Sequence, residues 1–309
     1  MDRENDSDAV ELVRKHSRLM VRELDTVKAN YMGSGCTFTQ CHVLFELAAH
    51  KSLHLHELVD LLLLDKSNAS RTVKKLIQMG LVNSKKVPTD QRQKSFSLTS
   101  SGKKVITATT KVARRQVESA LGNLDHSQRE TVVEGMKLYA NALRKSRLQS
   151  GYQIRAIKRK DNSEVAAILR DVLAEFGAVG DGYSIVDPEI DDMFGNYQAA
   201  GHCYRVVVND SQVMGAAGIA PLLGGKETTC ELRKMFFRPE IRGLGLGRKL
   251  LLGLLDWARE YGFRQCYLET LGRMPQAINL YVKCGFEKLD KPMGNTGHCS
   301  CDNWYLLKL

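Results

Sequence analysis

Leu232-Arg233-Lys234-Met235-Phe236-Phe237-Arg238-Pro239-Glu240-Ile241-Arg242-Gly243-Leu244-Gly245-Leu246-Gly247-Arg248 is the stretch that decides how this chain is read. Its first part closes the run 229–237, whose composition predicts a β-strand. Three alternate glycines, Gly243, Gly245 and Gly247, then stand directly before a predicted helix over 248–261. Glycines at that spacing let the backbone turn tightly and bring successive N–H groups against one anion. The helix N-terminus adds free N–H groups and partial positive charge. Pyrophosphate is the natural guest. The spacing is not that of a dinucleotide fold, because Arg248 stands where its last glycine belongs, and the Gly-Lys-Ser/Thr ending of a P-loop is missing.

Outward from this loop, strands are predicted at 152–155, 203–208, 212–220 and 265–270, with closing strands near 285–289 and 304–308. Helices are predicted at 162–176 and 274–283. Strands alternating with helices imply a mixed α/β layer. Asp187-Pro188-Glu189-Ile190-Asp191-Asp192 is densely acidic; it is either a lure for a cationic amine or a solvated loop.

The other half reads differently. Residues 1–150 hold 25 Lys and Arg against 16 Asp and Glu, whereas residues 151–309 hold 20 against 19. The excess of positive charge in one half suggests a polyanion partner there, nucleic acid first. Helical periodicity runs from Asp8 to about Tyr31, where Gly33-Ser34-Gly35 breaks it. Further helices are expected from Phe38, over 56–62, and from Asp65 to near Gly80. In the last of these Val73, Leu76 and Ile77 are spaced to pack inward. Its opening turn presents Ser67, Asn68, Ser70 and Arg71, followed by Lys74, groups suited to phosphates and base edges in a major groove. Lys74 and Lys75 also fit a plain solvated face. Alternation on both sides of Pro88-Thr89-Asp90-Gln91-Arg92 reads as a hairpin, so the whole is a winged helix-turn-helix. Residues 103–147 form a long helical stretch, core or dimer surface, and 144–151 reads as the junction.

Eight cysteines without a C-x-x-C pair read as reduced, mostly buried thiols. His298-Cys299-Ser300-Cys301 is a single tight cluster with no second ligand pair, so no metal site is expected. No apolar run is long enough to span a membrane, and the polar N-terminus is unlike a secretory signal, which makes the cytoplasm the expected location.

Two resemblances extend this reading. From about Phe38 to Gly102 the chain resembles the MarR family of winged-helix regulators, through Thr39-Gln40, Glu57-Leu58, Ser70-Arg71-Thr72-Val73, Gly80-Leu81-Val82, Asp90-Gln91-Arg92 and Leu98-Thr99-Ser100-Ser101-Gly102. The resemblance implies a homodimer on double-stranded DNA carrying a pseudo-palindromic operator. Arg92 of the wing would reach the minor groove or its phosphates, with Asp90 orienting it. Residues 232–247, with Arg242, Gly245 and Gly247, resemble the acetyl-CoA motif of the GNAT acetyltransferase superfamily. The later run Ala277-Ile278-Asn279-Leu280-Tyr281-Val282-Lys283-Cys284-Gly285-Phe286 is similar to that superfamily's second motif. The backbone of Met235, Phe236 and Phe237 would then pair with the pantetheine arm. The N–H groups of Arg242, Gly243, Leu244, Gly245, Leu246, Gly247 and Arg248 would hold the pyrophosphate. Tyr281 would protonate the leaving thiolate, and Asn279 would orient the pantetheine or a water. Met274 stands where the superfamily often has asparagine, which leaves the adenine-side contacts open. Glu231 is the first candidate for the base that takes the amine's proton and Glu269 the second; a structural role is the alternative for either.

The expected architecture is a multidomain α+β chain. A mostly α winged helix-turn-helix over 1–147 is followed by a mixed α/β GNAT-like domain over 152–309. The expected function is a bifunctional transcriptional regulator and N-acetyltransferase using acetyl-CoA. Its acceptor is a small amine or amino acid, then a protein lysine. The alternative is a regulator that senses acetyl-CoA or a metabolite without turnover.

Overall fold

The computed structural model describes residues 3–87, 90–180, 182–297 and 300–309, and their side chains except those of 3–7, 87 and 90–92. Packing divides the chain into two units, Met1–Val133 and Glu134–Leu309. The division falls inside a single helix.

The first unit runs α1 (Arg3–Glu23), α2 (Phe38–His50), β1 (Leu53–His54), α3 (Leu55–Leu62), α4 (Lys66–Gln78), β2 (Val82–Val87), β3 (Asp90–Leu98) and α5 (Ser100–Gly122). α6 (His126–Gln149) begins here and ends in the second unit. Side-chain caps set the helix starts. Thr37 and Gln40 form a reciprocal capping box on α2, Asp65 accepts from the Asn68 N–H at the head of α4, and Thr99 accepts from the Gly102 N–H at the head of α5. β1, β3 and β2 make a small sheet, and Leu44, Leu47, Leu58, Val73, Leu76, Phe96 and Ile106 form the core beneath it.

Three differences from the sequence reading have local causes. α1 stops at Glu23 rather than near Tyr31, since Asp25 takes a left-handed φ of 57°. The stretch 103–147 is two helices, broken at Asn123–Asp125, where the Asp125 carboxylate accepts from the Gln128 N–H. Ile77 is 38% exposed, because a 100° step from buried Leu76 carries it off the core-facing stripe.

The second unit contains β4 (Gln153–Ala156), α7 (Asn162–Glu175), α8 (Met193–Asn196), β5 (Cys203–Asn209), β6 (Gln212–Pro221) and β7 (Thr229–Phe237). α9 (Leu246–Tyr261), β8 (Gln265–Thr270), α10 (Pro275–Lys283), β9 (Glu287–Leu289) and β10 (Asn303–Lys308) complete it. The strands form one sheet in the order β4-β5-β6-β7-β8-β10-β9. The five pairings β4–β5, β5–β6, β6–β7, β8–β10 and β10–β9 are antiparallel, and β7–β8 is parallel. Alternate residues of β5 and β6 face opposite sides. Val207, Ala217 and Ile219 pack with Leu250, Leu251 and Leu254 of α9, while Val206, Val208 and Ala216 pack with Val165, Ile168 and Leu169 of α7. α9, with α10 packed into the same core, covers one face of the sheet and α7 the other, which gives the mixed α/β layer expected.

Candidate active site

The site begins with a fork. β7 and β8 pair at only three positions, Thr229 with Gln265, Cys230 with Cys266 and Glu231 with Tyr267. Beyond Glu231 they part, and among the described residues the inner edge of β7 from Leu232 onward has no strand partner on that side. The fork opens into a cavity of about 720 Å³, lined by Met235, Phe236, Phe237, Arg242, Gly243, Gly245, Gly247, Arg248, Asn279 and Tyr281. Leu244 packs against the neighbouring core and Leu246 is buried in it. The structure thus brings ten of the predicted site residues around one space.

The glycine loop has the conformation that its composition calls for. Gly243 and Gly245 take φ of 77° and 83°, and Gly245 is the N-cap of α9. A Cβ on Gly247 would touch Met235, Phe237 and Leu280, so the loop lies close against the strand edge. Three further cations, Arg248, Arg273 and Lys283, line the same cavity. Glycine N–H groups, a 16-residue helix N-terminus and these cations together fit a polyanionic ligand. The Arg242 side chain has another task. Both its Nη atoms donate to Glu175 at 2.6 Å and its Nε donates to the Phe237 carbonyl at 3.0 Å, which fastens the end of α7 to the end of β7. Glu175 is thereby held below the usual carboxylate range.

Tyr281 borders a second, smaller pocket of about 90 Å³, whose walls also include both Glu231 and Glu269. Its ring is 6% exposed, and burial, then the neighbouring Cys266, pushes its hydroxyl well above the ordinary tyrosine range. A phenol held protonated is suited to giving a proton. Glu231 is 3% exposed and accepts from Arg233 Nε at 2.6 Å. Glu269 accepts from the Tyr267 hydroxyl at 2.7 Å and from the Thr296 hydroxyl at 3.0 Å.

Three residues, Lys234 and Arg273 at these pockets and Gln149 against the glycine loop, escaped the sequence reading. Lys234, on β7, takes a left-handed φ of 49° and donates to Asp187 at 2.5 Å and Glu189 at 2.7 Å. Arg273 donates to the Gly177 carbonyl at 3.0 Å and lies over the ring of Tyr183. Gln149, the last residue of α6, donates to the Leu244 carbonyl at 2.8 Å. Long-range pairing leaves no periodicity behind it, and a lysine in a strand that already carries Glu231 and Arg233 gives no hint of its partners. The acidic segment 187–192 is partly taken up by the fold, while Asp191 stays exposed to solvent. Asp187 and Glu189 face Lys234, Asp191 accepts from Arg170, and Asp192 caps α8 through the Gly195 N–H.

In the first unit Ser70, Arg71 and Lys74 lie exposed on α4, while Ala69, Thr72, Val73 and Leu76 turn inward. Two of the predicted polar contacts have protein partners. The Ser67 hydroxyl donates to Asp65 at 2.6 Å, and half-buried Asn68 accepts from Thr72. Asp90 and Arg92 belong to β3, and their side chains lie outside the described residues. His298 and Cys299 do so as well. Among the described residues no group of three or more His, Cys, Asp and Glu is placed to hold a metal ion. No described helix is long and apolar enough to cross a membrane.

A family model described as the acetyltransferase (GNAT) family matches residues 168–286, and one described as the MarR family matches residues 34–93. An uncharacterized N-acetyltransferase of Escherichia coli, YjgM, is 45% identical over 150 residues, which are 48% of this chain and 90% of that protein. The chain belongs to the GNAT acetyltransferase family. Its C-terminal unit is an N-acetyltransferase domain of that family, and it is joined to a MarR-type domain. An uncharacterized N-acetyltransferase of Schizosaccharomyces pombe is 28% identical over 141 residues, 45% of this chain and 84% of that protein. Among solved structures, a GNAT-family acetyltransferase from Staphylococcus aureus is 21% identical with a TM-score of 0.45, over 51% of this chain and 98% of its own. The PaiA N-acetyltransferase of Thermoplasma acidophilum, solved in complex with coenzyme A, is 17% identical with a TM-score of 0.43, over 51% of this chain and 99% of its own.

Proposed function

We propose that the chain is a DNA-binding regulator that also moves an acetyl group from acetyl-CoA to a primary amine by direct attack. One observation carries the enzymatic half. Tyr281 lines both the large cavity at the fork and the small pocket that holds Glu231 and Glu269. A donor site and an acceptor site thus meet at a buried phenol. Acetyl-CoA supplies the activated thioester. The loop N–H groups from Arg242 to Arg248 hold its pyrophosphate, and the free edge of β7 at Met235–Phe237 pairs with its pantetheine arm, with Asn279 on the opposite wall. Backbone donors of that edge polarise the thioester carbonyl, and preorganised donors of this type supply about 3–4 kcal/mol each. Glu231 or Glu269 takes the proton of the attacking amine, and Tyr281 gives one to the leaving thiolate. The acceptor is a small amine or an amino acid first, a protein lysine second.

The test is thiol release from acetyl-CoA across a panel of small amines, amino acids and a lysine peptide, with wild type and Tyr281→Phe. Turnover of at least one acceptor, lowered in the variant, is expected. No turnover with any acceptor, together with tight acetyl-CoA binding and acetyl-CoA-dependent DNA binding, would show a sensor instead. The sensor reading has its own support, since Gln149 of the helix shared by both units holds the Leu244 carbonyl of the cofactor loop.

For the regulatory half, exposed Ser70, Arg71 and Lys74 on α4, with Asp90 and Arg92 of the wing and the Ser67–Asn68 turn, face double-stranded DNA in a homodimer on a pseudo-palindromic operator. The exposed apolar residues of α1, α5 and α6, among them Leu19, Val117, Val133 and Leu138, support a dimer surface. Arg71→Ala is expected to weaken retention on the chain's own upstream DNA and to flatten its salt dependence by about one unit of slope. Retention that ignores both salt and this variant would leave the first unit as a dimerisation module.

A further inference from the structure

Lys234 departs from every expectation for a residue in a β-strand. Its side chain is only 3% exposed, its φ of 49° lies in the left-handed region, and its two carboxylate partners come from the distant segment around residues 187–189. Its carbonyl accepts from the buried Tyr204 hydroxyl at 3.1 Å. A lysine seldom adopts that backbone conformation, and a buried ammonium needs paired carboxylates to stay charged. Four groups of the fold, two on the side chain, one on the carbonyl and the bulged backbone itself, therefore converge on this one position.

The position matters because of where β7 changes register. Gly218 of β6 faces Arg233, but Ala216 faces Phe236, so one residue of β6 spans two of β7 at Lys234 and Met235. A bulge re-aims the strand that follows it. Here the re-aimed part is Met235–Phe237, the edge that borders the larger cavity. On its other side Lys234 holds Asp187 and Glu189, just after Tyr183 and Ser184, which wall the small pocket together with Lys234 itself.

We propose that Lys234 is a positioning residue for acetyl transfer: its clamp on Asp187 and Glu189 fixes the strand edge that holds the donor against the loop that walls the acceptor pocket. This rests on the acetyltransferase reading above. The role is indirect, because the ammonium is spent on the two carboxylates. Its loss therefore disturbs the alignment of donor and acceptor more than the hold on either.

The test uses the full chain with Lys234→Met, Lys234→Gly and Lys234→Arg, and with Asp187→Asn and Glu189→Gln combined. Glycine tolerates the left-handed φ, so Lys234→Gly removes the ammonium while keeping the bulge accessible. With the best acceptor of the amine panel, Met and Gly are expected to lower kcat about tenfold to a hundredfold, the scale of a misplacement near 1 Å. The KM for acetyl-CoA is expected to stay within about threefold, Lys234→Arg to recover part of kcat, and the Asp187 and Glu189 pair of changes to copy the Met variant. Amide hydrogen exchange is expected to quicken over both 184–192 and 229–237. An active wild type whose Met and Gly variants keep kcat and exchange unchanged would overturn the proposal alone. A fall in kcat that tracks loss of acetyl-CoA affinity and of Tm would also overturn it, as simple unfolding. A wild type without turnover strikes at the enzyme reading instead.

Discussion

Gln149 donates a 2.8 Å hydrogen bond to the carbonyl of Leu244, so the last side chain of α6 is fixed to the backbone of the glycine loop. The same Nε2 lies 3.0 Å from where a Cβ on Gly245 would stand. A hydrogen bond of this kind contributes about 0.5–1.5 kcal/mol net. Gln149→Ala is therefore expected to weaken acetyl-CoA binding by about twofold to tenfold, since the loop must then be ordered by the ligand itself. Calorimetric titration of acetyl-CoA reads the change; identical affinity in the variant would show that the bond leaves the loop unaffected.

Gly243 and Gly245 separate two demands on the same loop. Both have left-handed φ, so alanine at either costs about 1–2 kcal/mol of backbone strain. At Gly245 the new methyl would also meet Gln149, whereas among the described residues nothing lies within 4 Å of the Cβ site of Gly243. Gly245→Ala is expected to raise the KM for acetyl-CoA more than Gly243→Ala does, the strain alone amounting to about fivefold to thirtyfold at tenfold per 1.4 kcal/mol. Equal effects would mean that strain alone sets the loop.

Tyr281 leads to a prediction about pH. Burial raises its hydroxyl above the ordinary value of 10.0, so the proton it would donate is present throughout the neutral and mildly alkaline range. An acid must be protonated to act; a raised value therefore moves any loss of kcat to higher pH. For wild type the kcat profile is expected to stay level up to pH 10 without an alkaline limb from this group. Tyr281→Phe is expected to lower kcat by about a hundredfold or more with little change in the KM for acetyl-CoA. A clear alkaline fall centred below pH 10 that disappears in the variant would contradict the burial argument.

These predictions draw unequally on the sequence. The glycine loop, the strand before it and the helix bearing Tyr281 could be read directly, because local chemistry sets them: alternate glycines, a strand-stopping Arg238-Pro239 and an apolar face recurring at helical spacing. The extent of α4 from Asp65 to near Gly80 and the hairpin were legible for the same reason. The fork between β7 and β8 was not, because parallel pairing that stops after Glu231 is a relation between residues far apart in the chain. Nor was the capture of Asp187 and Glu189 by Lys234, since a run of acidic residues looks the same whether it faces solvent or a buried ammonium. Glu231 and Glu269 were singled out by their places near strand ends; their convergence with Tyr281 on one pocket is a property of the fold.

Asp161 and Arg155 give the second unit an acid-sensitive joint. Arg155 donates to both oxygens of Asp161, at 2.6 and 3.0 Å, and the Lys158 N–H adds a third bond at 2.8 Å. Burial by itself would raise this carboxyl, but those donors outweigh it and hold it below 3.8. A carboxylate with a depressed folded-state value stabilises the fold fully above its unfolded value. That contribution disappears as pH falls through the folded-state value, so the window lies below about pH 4. Asp161→Asn leaves a half-buried Arg155 without its charge partner, at a cost of about 1.5–3 kcal/mol near neutral pH, the scale of hydrogen bonds to a charged group. The gap in Tm between wild type and variant is therefore expected to be constant from pH 8 to 5 and to narrow steadily below pH 4. Thermal unfolding across that range decides the matter, and a gap that stays the same at pH 3 would mean that the pair contributes packing rather than charge.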